Sequence, residues 1–372
     1  MENRPIRVLL CSPRGNTGGI ARWTNHVMNY YNSIQSDEIQ LNWCYASKSK
    51  KDILTGTNFI IRIYFGIVNY FPFIKRLRKE IKYNKYDVVH FCSSASISLL
   101  RDIVTLKMCH KRDIKTIIHF RFGRIPQVYQ TQNWERRLLD RIIRLADKVI
   151  VIDKCSYTTL INCGYDNVLL LPNPLTPQIN NIVDKVGVVE RRERTILFAG
   201  HVLPSKGIFE LIEACKDIPN IELKILGICT DEMRVKILEL AGPYAEKWLE
   251  IKGDQPFDIV IEEMLYTELF VLPTYTEGFP NVILESMACG CSIITTPVGA
   301  IPEMLAIDTE SPCGICVEAR KVEQLKLVIE SLLSNSQFAA ELGRRAKERV
   351  NKEYSMNAIW KQMCAIWYNT VI

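Results

Sequence analysis

Two carboxylates, Glu277 and Glu285, bracket the run Glu277-Gly278-Phe279-Pro280-Asn281-Val282-Ile283-Leu284-Glu285, and the pair Lys206-Gly207 lies upstream. The first carboxylate sits in a Gly-Pro turn. The second falls one turn inside the helix that the following apolar residues predict. A carboxylate in that helical position can accept hydrogen bonds from two vicinal hydroxyls, while one in the preceding turn can hold another polar group of the same ligand. Lys206 supplies positive charge for a phosphate. The three together suit a ligand carrying both sugar hydroxyls and phosphate, a nucleotide sugar.

The lysine has a further use. A phosphate leaving group gains negative charge as its bond to the sugar breaks, so a nearby cation favours the transition state over the ground state. A second phosphate-facing candidate is the loop Ser12–Gly19, which contains Gly15, Gly18 and Gly19. Such a loop lets backbone N–H groups at a helix N-terminus approach an anion, although it also serves as a plain tight turn. Its spacing is not that of a dinucleotide fingerprint, and it lacks the Lys-Ser/Thr of a P-loop. Glu303 opens a helix after Pro302 and reads as a first-turn carboxylate complementing the helix dipole.

Composition narrows the field. The chain has 372 residues, enough for two domains, with 48% hydrophobic and 24% charged residues, as in ordinary globular proteins. Thirteen cysteines, odd in number and scattered through apolar runs, predict a reducing cytoplasm, and no secretory signal reads at the N-terminus. Cys313 and Cys316 form a lone CxxC without a second pair, so they read as small core thiols and no metal site is expected. The net charge of +6 conceals an asymmetry: residues 1–178 carry 27 Lys+Arg against 13 Asp+Glu, and the remainder 20 against 28. A basic half predicts contact with an anionic surface. Aromatic residues are not interleaved with the basic ones, which argues against nucleic acid.

Short apolar runs alternate with helical periodicity, the pattern of parallel sheets covered by helices. Predicted strands in the first half are 6–11, 39–45, 88–92, 116–120, 148–152 and 168–171, with helices over 20–32 and 134–146. A polar stretch, 179–194, reads as a linker. Strands resume at 195–199, 222–226, 248–252, 269–272, 292–295 and 314–317, separated by helices near 207–217, 231–240, 281–289 and 321–333. Two helices, about 335–350 and 355–370, close the chain. The last carries an apolar stripe of Ile359, Trp360, Met363, Ile366 and Trp367 that predicts packing back onto the first domain. Residues 59–82 join an aromatic apolar run, broken by Pro72, to Lys75, Arg76, Arg78, Lys79 and Lys82. The run is short for a membrane span and reads as an interfacial segment with its basic end toward anionic lipid.

Gly18-Gly19 after the first strand, Gly200-x5-Lys206-Gly207, Glu277-Gly-Phe-Pro-x4-Glu285 and Gly299-x-x-Pro-Glu303 occur in one order over nearly the whole chain, and that set resembles retaining glycosyltransferase family 4. The resemblance implies the GT-B fold: two doubly wound Rossmann-like domains facing across a cleft. Here they would be 1–178 for the acceptor, with the helix of about 355–372, and 195–354 for the donor. It implies a nucleotide-sugar donor, retention of configuration by front-face attack, and no metal or other cofactor. Gly18 and Gly19 would face the donor phosphates and the acceptor. Lys206 would act on the leaving phosphate, Glu277 on the transferred sugar, with Gly278, Phe279, Pro280 and Asn281 beside it, and Glu285 on the ribose. The family usually places an arginine where this chain has His201, which offers one donor instead of a permanent charged fork. If His201 must be cationic, turnover falls as pH rises and the ring loses its proton. His119-Phe-Arg121-Phe-Gly123-Arg124 follows a buried strand. Relative to the family's H-x-H-G pattern, His119 matches the first histidine and Arg121 replaces the second. Arg121 would bind a donor or acceptor phosphate, and His119 would face the sugar or be a core histidine.

The expected reaction is transfer of a hexose or N-acetylhexosamine, from a UDP-sugar in preference to a GDP-sugar, to a saccharide or lipid-linked saccharide. The setting would be capsule or lipopolysaccharide assembly at the inner face of the cytoplasmic membrane, with the protein held peripherally. Two other readings stand beside it: a nucleotide-sugar epimerase of the same fold, and a non-catalytic homologue acting as a scaffold.

Overall fold

The computed structural model describes residues 4–15, 19–48, 59–94, 96 and 98–372. The chain divides into two compact units, Met1–Pro174 with Met356–Ile372, and Leu175–Ser355. In the first unit the elements are β1 (Ile6–Arg14), α1 (Gly19–Ile34), β2 (Ile39–Lys48), α2 (Phe59–Tyr83), β3 (Val88–Ser93), α3 (Ser98–His110), β4 (Lys115–Phe120), α4 (Ile125–Gln130), α5 (Trp134–Leu145), β5 (Lys148–Val151), α6 (Lys154–Asn162) and β6 (Val168–Leu170). The second unit contains α7 (Gln178–Val186), β7 (Arg192–Ala199), α8 (Ile208–Cys215), β8 (Glu222–Leu226), α9 (Asp231–Ala241), β9 (Leu249–Gly253), α10 (Phe257–Tyr266), β10 (Thr267–Leu272), α11 (Asn281–Ala288), β11 (Ser292–Thr295), α12 (Ile301–Met304), β12 (Ile315–Cys316), α13 (Val322–Leu333) and α14 (Ser336–Glu353). Helix α15 (Met356–Val371) then returns to the first unit.

Each unit holds one six-stranded sheet, ordered β2-β1-β3-β4-β5-β6 in the first and β12-β11-β10-β7-β8-β9 in the second, and the strand pairs are parallel. Strands buried on both faces explain why they read as unbroken apolar runs: every residue of β3 is buried. In each sheet the strand order reverses once, between β1 and β3 and between β7 and β10. Ligands of open α/β sheets bind outside the carboxyl ends of the strands at such switch points.

One face of the first sheet packs on α1 and α15, through Val8, Leu10, Val88, Cys92 and Ile117 against Trp23, Ile359, Trp360, Met363 and Trp367. The stripe expected on the last helix is thus covered by its own unit's sheet, with Ile366 partly buried at its margin. Trp367 is fully buried; removing such a side chain from water contributes on the order of 4–6 kcal/mol before entropy is counted. The other face carries Phe73, Leu77 and Ile81 of α2.

The expected linker differs. Residues 178–186 form α7, whose Ile179 is fully buried and which belongs to the second unit. Ile179 is its one buried residue, and the polar residues on either side of this short segment hid the signal. The strand expected from 195 also starts earlier, at Arg192, and the boundary between units falls at Pro174/Leu175 instead of after 178.

Candidate active site

In the second unit the functional loops leave β7 and β10, the two strands flanking the switch point. After β7 the chain makes a 3₁₀ turn, Pro204–Lys206, and Gly207 adopts φ 71° before α8. A Cβ at Gly207 would lie 2.0 Å from the Pro273 carbonyl oxygen, so only glycine allows the loop to close on the end of β10. The Tyr275 N–H donates to the Ser205 carbonyl at 2.9 Å, and Thr274 Oγ1 donates to the same oxygen at 3.3 Å. These stitches bring Lys206 Nζ onto Glu277 Oε1 as an ion pair, with both side chains largely shielded from solvent. The sequence assigned these two residues to different parts of a ligand; the structure joins them.

The Glu277-Gly278 segment is braced from below. The Ala300 N–H donates to the Gly278 carbonyl at 2.9 Å, and Gly299 (φ 58°) would place a Cβ 2.4 Å from the Glu277 oxygen. This is the physical reason for the glycine in Gly299-x-x-Pro-Glu303. Pro280 caps α11, and Phe279 is buried against Tyr354. Asn281 is exposed at the helix start, and Glu285 lies one turn in, partly exposed. His201 is exposed in the loop after β7. Glu303 stands at the end of the same region, where its backbone carbonyl accepts from Arg349 Nη2 at 3.0 Å.

The first unit carries a second constellation at the carboxyl ends of β3 and β4. His119 and Cys92 are register partners on neighbouring strands, and His90 stands two residues before Cys92 on the same face. His90 Nε2 is 3.2 Å from His119 Nδ1, the Trp367 indole N–H donates to His90 Nδ1 at 3.0 Å, and Arg121 Nη1 lies 3.2 Å from His119 Nε2. The Trp23 ring meets His119 edge-on and receives the Arg121 guanidinium over its face at 4.5 Å. Burial, with Arg121 adding to it, pushes His90 down to about 3 and His119 well below its usual range, so both rings are neutral near pH 7. Burial also lowers Arg121, to about 10, and it stays charged.

His90, Cys92 and His119 have ligand atoms within 4.8 Å of one another, but their chemistry does not suit a cation. Trp367 occupies the His90 Nδ1 lone pair, which leaves the proton on the nitrogen facing the cluster, and Arg121 adds positive charge beside it. Burial raises the Cys92 thiol to about 12. All thirteen cysteines are free, with Cys313 buried and Cys316 partly so. Of the loop after β1, Gly18 lies outside the described residues, while Gly19 begins α1 with nothing within 4 Å of its Cβ position among the described residues. His90 and Trp367 were missed in the sequence: one lies inside a buried strand, the other over 270 residues away on the last helix.

Two family models match the chain, glycosyltransferase family 4 over residues 25–178 and glycosyl transferases group 1 over residues 181–349. The chain carries a glycosyltransferase family 4 domain followed by a glycosyl transferases group 1 domain. Among similar proteins, an uncharacterised glycosyltransferase of Methanocaldococcus jannaschii is 33% identical over 159 residues, 43% of either chain. The capsular polysaccharide biosynthesis glycosyltransferase CapM of Staphylococcus aureus is 27% identical over 205 residues, 52% of this chain and 50% of CapM. These matches therefore span about half the length of either relative or less. Anabaena HepE in complex with UDP superposes with a TM-score of 0.69 over 98% of this chain and 100% of that one, at 15% identity, which supports the GT-B fold.

Proposed function

We propose that the chain is a retaining glycosyltransferase that moves a hexose or N-acetylhexosamine from a UDP-sugar to a lipid-linked or membrane-proximal saccharide. The observation that carries this reading is the Lys206–Glu277 pair at the switch point of the second sheet, immediately before the helix bearing Glu285. Glu285 holds the ribose hydroxyls, and Glu277 with the Gly278–Asn281 segment meets the transferred sugar. Lys206 stabilises charge on the departing phosphate, which is why no metal is required. Retention follows if the acceptor hydroxyl attacks the anomeric carbon on the face the phosphate leaves. The bond from sugar to phosphate breaks, the new glycosidic bond forms, and the acceptor proton passes to a phosphate oxygen. Within the first unit, His119 and Arg121 offer a second polar cluster for the sugar or a phosphate.

The preference for a UDP-sugar is supported by HepE, whose structures hold UDP and UDP-glucose. A role in surface-polysaccharide assembly is supported by relatives named for capsule and, provisionally, colanic acid biosynthesis. Peripheral attachment to the inner face of the cytoplasmic membrane is supported by α2. Among the described residues no helix is long and apolar enough to cross a membrane. The side chains of residues 59–69 lie outside the described ones, but from Phe71 onward the helix presents Phe71, Lys75, Arg78, Lys79 and Lys82 outward. Arg76 does not join them: it stacks on Tyr45 at 4.2 Å and donates to the Tyr45 carbonyl.

Calorimetric titration of UDP, GDP and their sugar conjugates into wild type and Glu285→Ala tests the donor assignment. UDP-series binding that Glu285→Ala abolishes is the expected result. Folded protein that binds neither series overturns it, and nucleotide binding without transfer to any acceptor returns the scaffold reading.

A further inference from the structure

We propose that Trp367 and His90 are positioning residues that hold the His119 proton on Nε2 and so keep the Arg121 guanidinium unpaired for an anionic oxygen of the substrate. The ligand class rests on the function proposed above; the proton arrangement does not.

Three contacts fix where the protons lie. An indole N–H and a guanidinium can only donate. Trp367 donates to His90 Nδ1, so a neutral His90 carries its proton on Nε2. That proton points at His119 Nδ1, 3.2 Å away, which must therefore accept. His119 then carries its own proton on Nε2, where the next neighbour is Arg121 Nη1 at 3.2 Å, another donor. Two neutral imidazoles between two obligate donors hold one proton too many. The mismatch falls on the Arg121 contact, because the other two links are enclosed by fully buried side chains.

Arg121 bears the consequence. Its Nε has no hydrogen-bond partner among the described residues, and its guanidinium is held chiefly by the Trp23 face. Such a face fixes the plane of the cation while leaving its N–H edge unspent. His119 Nε2–H and the Arg121 edge are two donors converging on one place, and a single anionic oxygen, of phosphate or pyrophosphate, satisfies both. Were the chain reversed, His119 Nε2 would accept from Arg121 and the guanidinium would be consumed internally. Trp367 prevents that reversal from the last helix.

The test is histidine tautomer assignment by 15N NMR on the full-length, ligand-free protein, with inorganic pyrophosphate then titrated and followed at the His119 Nε2–H signal. Wild type is expected to show His90 and His119 as Nε2–H tautomers and a saturable shift with pyrophosphate. Trp367→Phe is expected to reverse both tautomers and weaken pyrophosphate about tenfold. His90→Gln, whose amide accepts and donates with the same polarity, is expected to keep the wild-type tautomer and affinity, whereas His90→Leu loses them. A His119 proton on Nδ1 in wild type overturns the proposal even if no variant folds. So does an unshifted His119 signal in wild type, or an unchanged affinity once the tautomer has reversed. Because the tautomer is read without nucleotide, a protein that binds no nucleotide sugar but shows this proton order refutes the transferase reading and leaves the relay standing.

Discussion

Lys206 and Glu277, 71 positions apart in sequence, form an ion pair where the loops after β7 and β10 meet. The pair keeps a cation and an anion together at one switch point, each restraining the other. Lys206→Ala is expected to lower kcat about 10²–10³-fold, the usual scale for losing one preorganised charge-stabilising donor. Its stability cost is expected to be about 1–3 kcal/mol, because the largely shielded Glu277 carboxylate would lose its partner. Steady-state kinetics beside a urea melt separates the two effects, and full turnover in the variant removes the lysine from the mechanism.

Gly207 and Gly299 are expected to be intolerant of any side chain, because a Cβ would collide with backbone oxygens and both have positive φ. Alanine at either position is expected to destabilise by about 2–3 kcal/mol or more. Gly19→Ala meets nothing within 4 Å. It is expected to fold normally, and to weaken donor binding if the proposed phosphate-facing role of this loop holds. Melting curves and nucleotide titrations of the three variants decide this.

Acid stability follows from the buried histidines. Their folded pKa values lie below the ordinary value of about 6.5, so the unfolded chain takes up protons that the folded chain refuses. Their stabilising effect is complete above about pH 6.5 and declines as pH falls toward about 3. The slope approaches roughly 1.4 kcal/mol per pH unit for each ring. Glu263 adds to the loss only at lower pH: burial would raise it, but Lys252 and Lys224 outweigh that and hold it at about 2. Denaturant midpoints between pH 7 and 4.5 are expected to fall in wild type and to fall less steeply in His90→Gln.

His201 stands where the family usually has arginine. His201→Arg is expected to raise turnover, because arginine supplies a permanent charged fork where the imidazole offers one donor. A wild-type rate unchanged in His201→Ala would falsify a role for this residue.

The exposed cations of α2 are expected to give salt-sensitive binding to vesicles containing anionic phosphatidylglycerol and none to neutral phosphatidylcholine vesicles. Each contributes about 1 kcal/mol near such a surface. Replacing Lys75, Arg78, Lys79 and Lys82 by glutamine is expected to release the protein at unchanged stability, and cosedimentation reads it directly. Arg76→Gln is expected to cost stability instead, because its guanidinium is committed to Tyr45.

Much of this molecule was legible in the sequence because parallel strands buried on both faces leave apolar runs that helices cannot imitate at that length. Strands 222–226 and 292–295 end where they were expected, and the stripe on the last helix foretold its return to the first sheet. Helix α7 was not legible, since a single buried isoleucine anchors it among polar residues. Gly207 and Gly299 were readable as turn glycines because a positive φ demands them locally.

The sequence by itself determined the alternation of strands and helices and the two-domain plan. It did so because backbone geometry and burial act over a few residues at a time. Only the tertiary structure decided that Lys206 pairs with Glu277, that Arg76 is spent on Tyr45, and that Trp367 sets the proton on His90 and, through it, on His119. Those relationships depend on which strand ends and helix faces become neighbours, and hydrogen-bond polarity is fixed only when donor and acceptor meet.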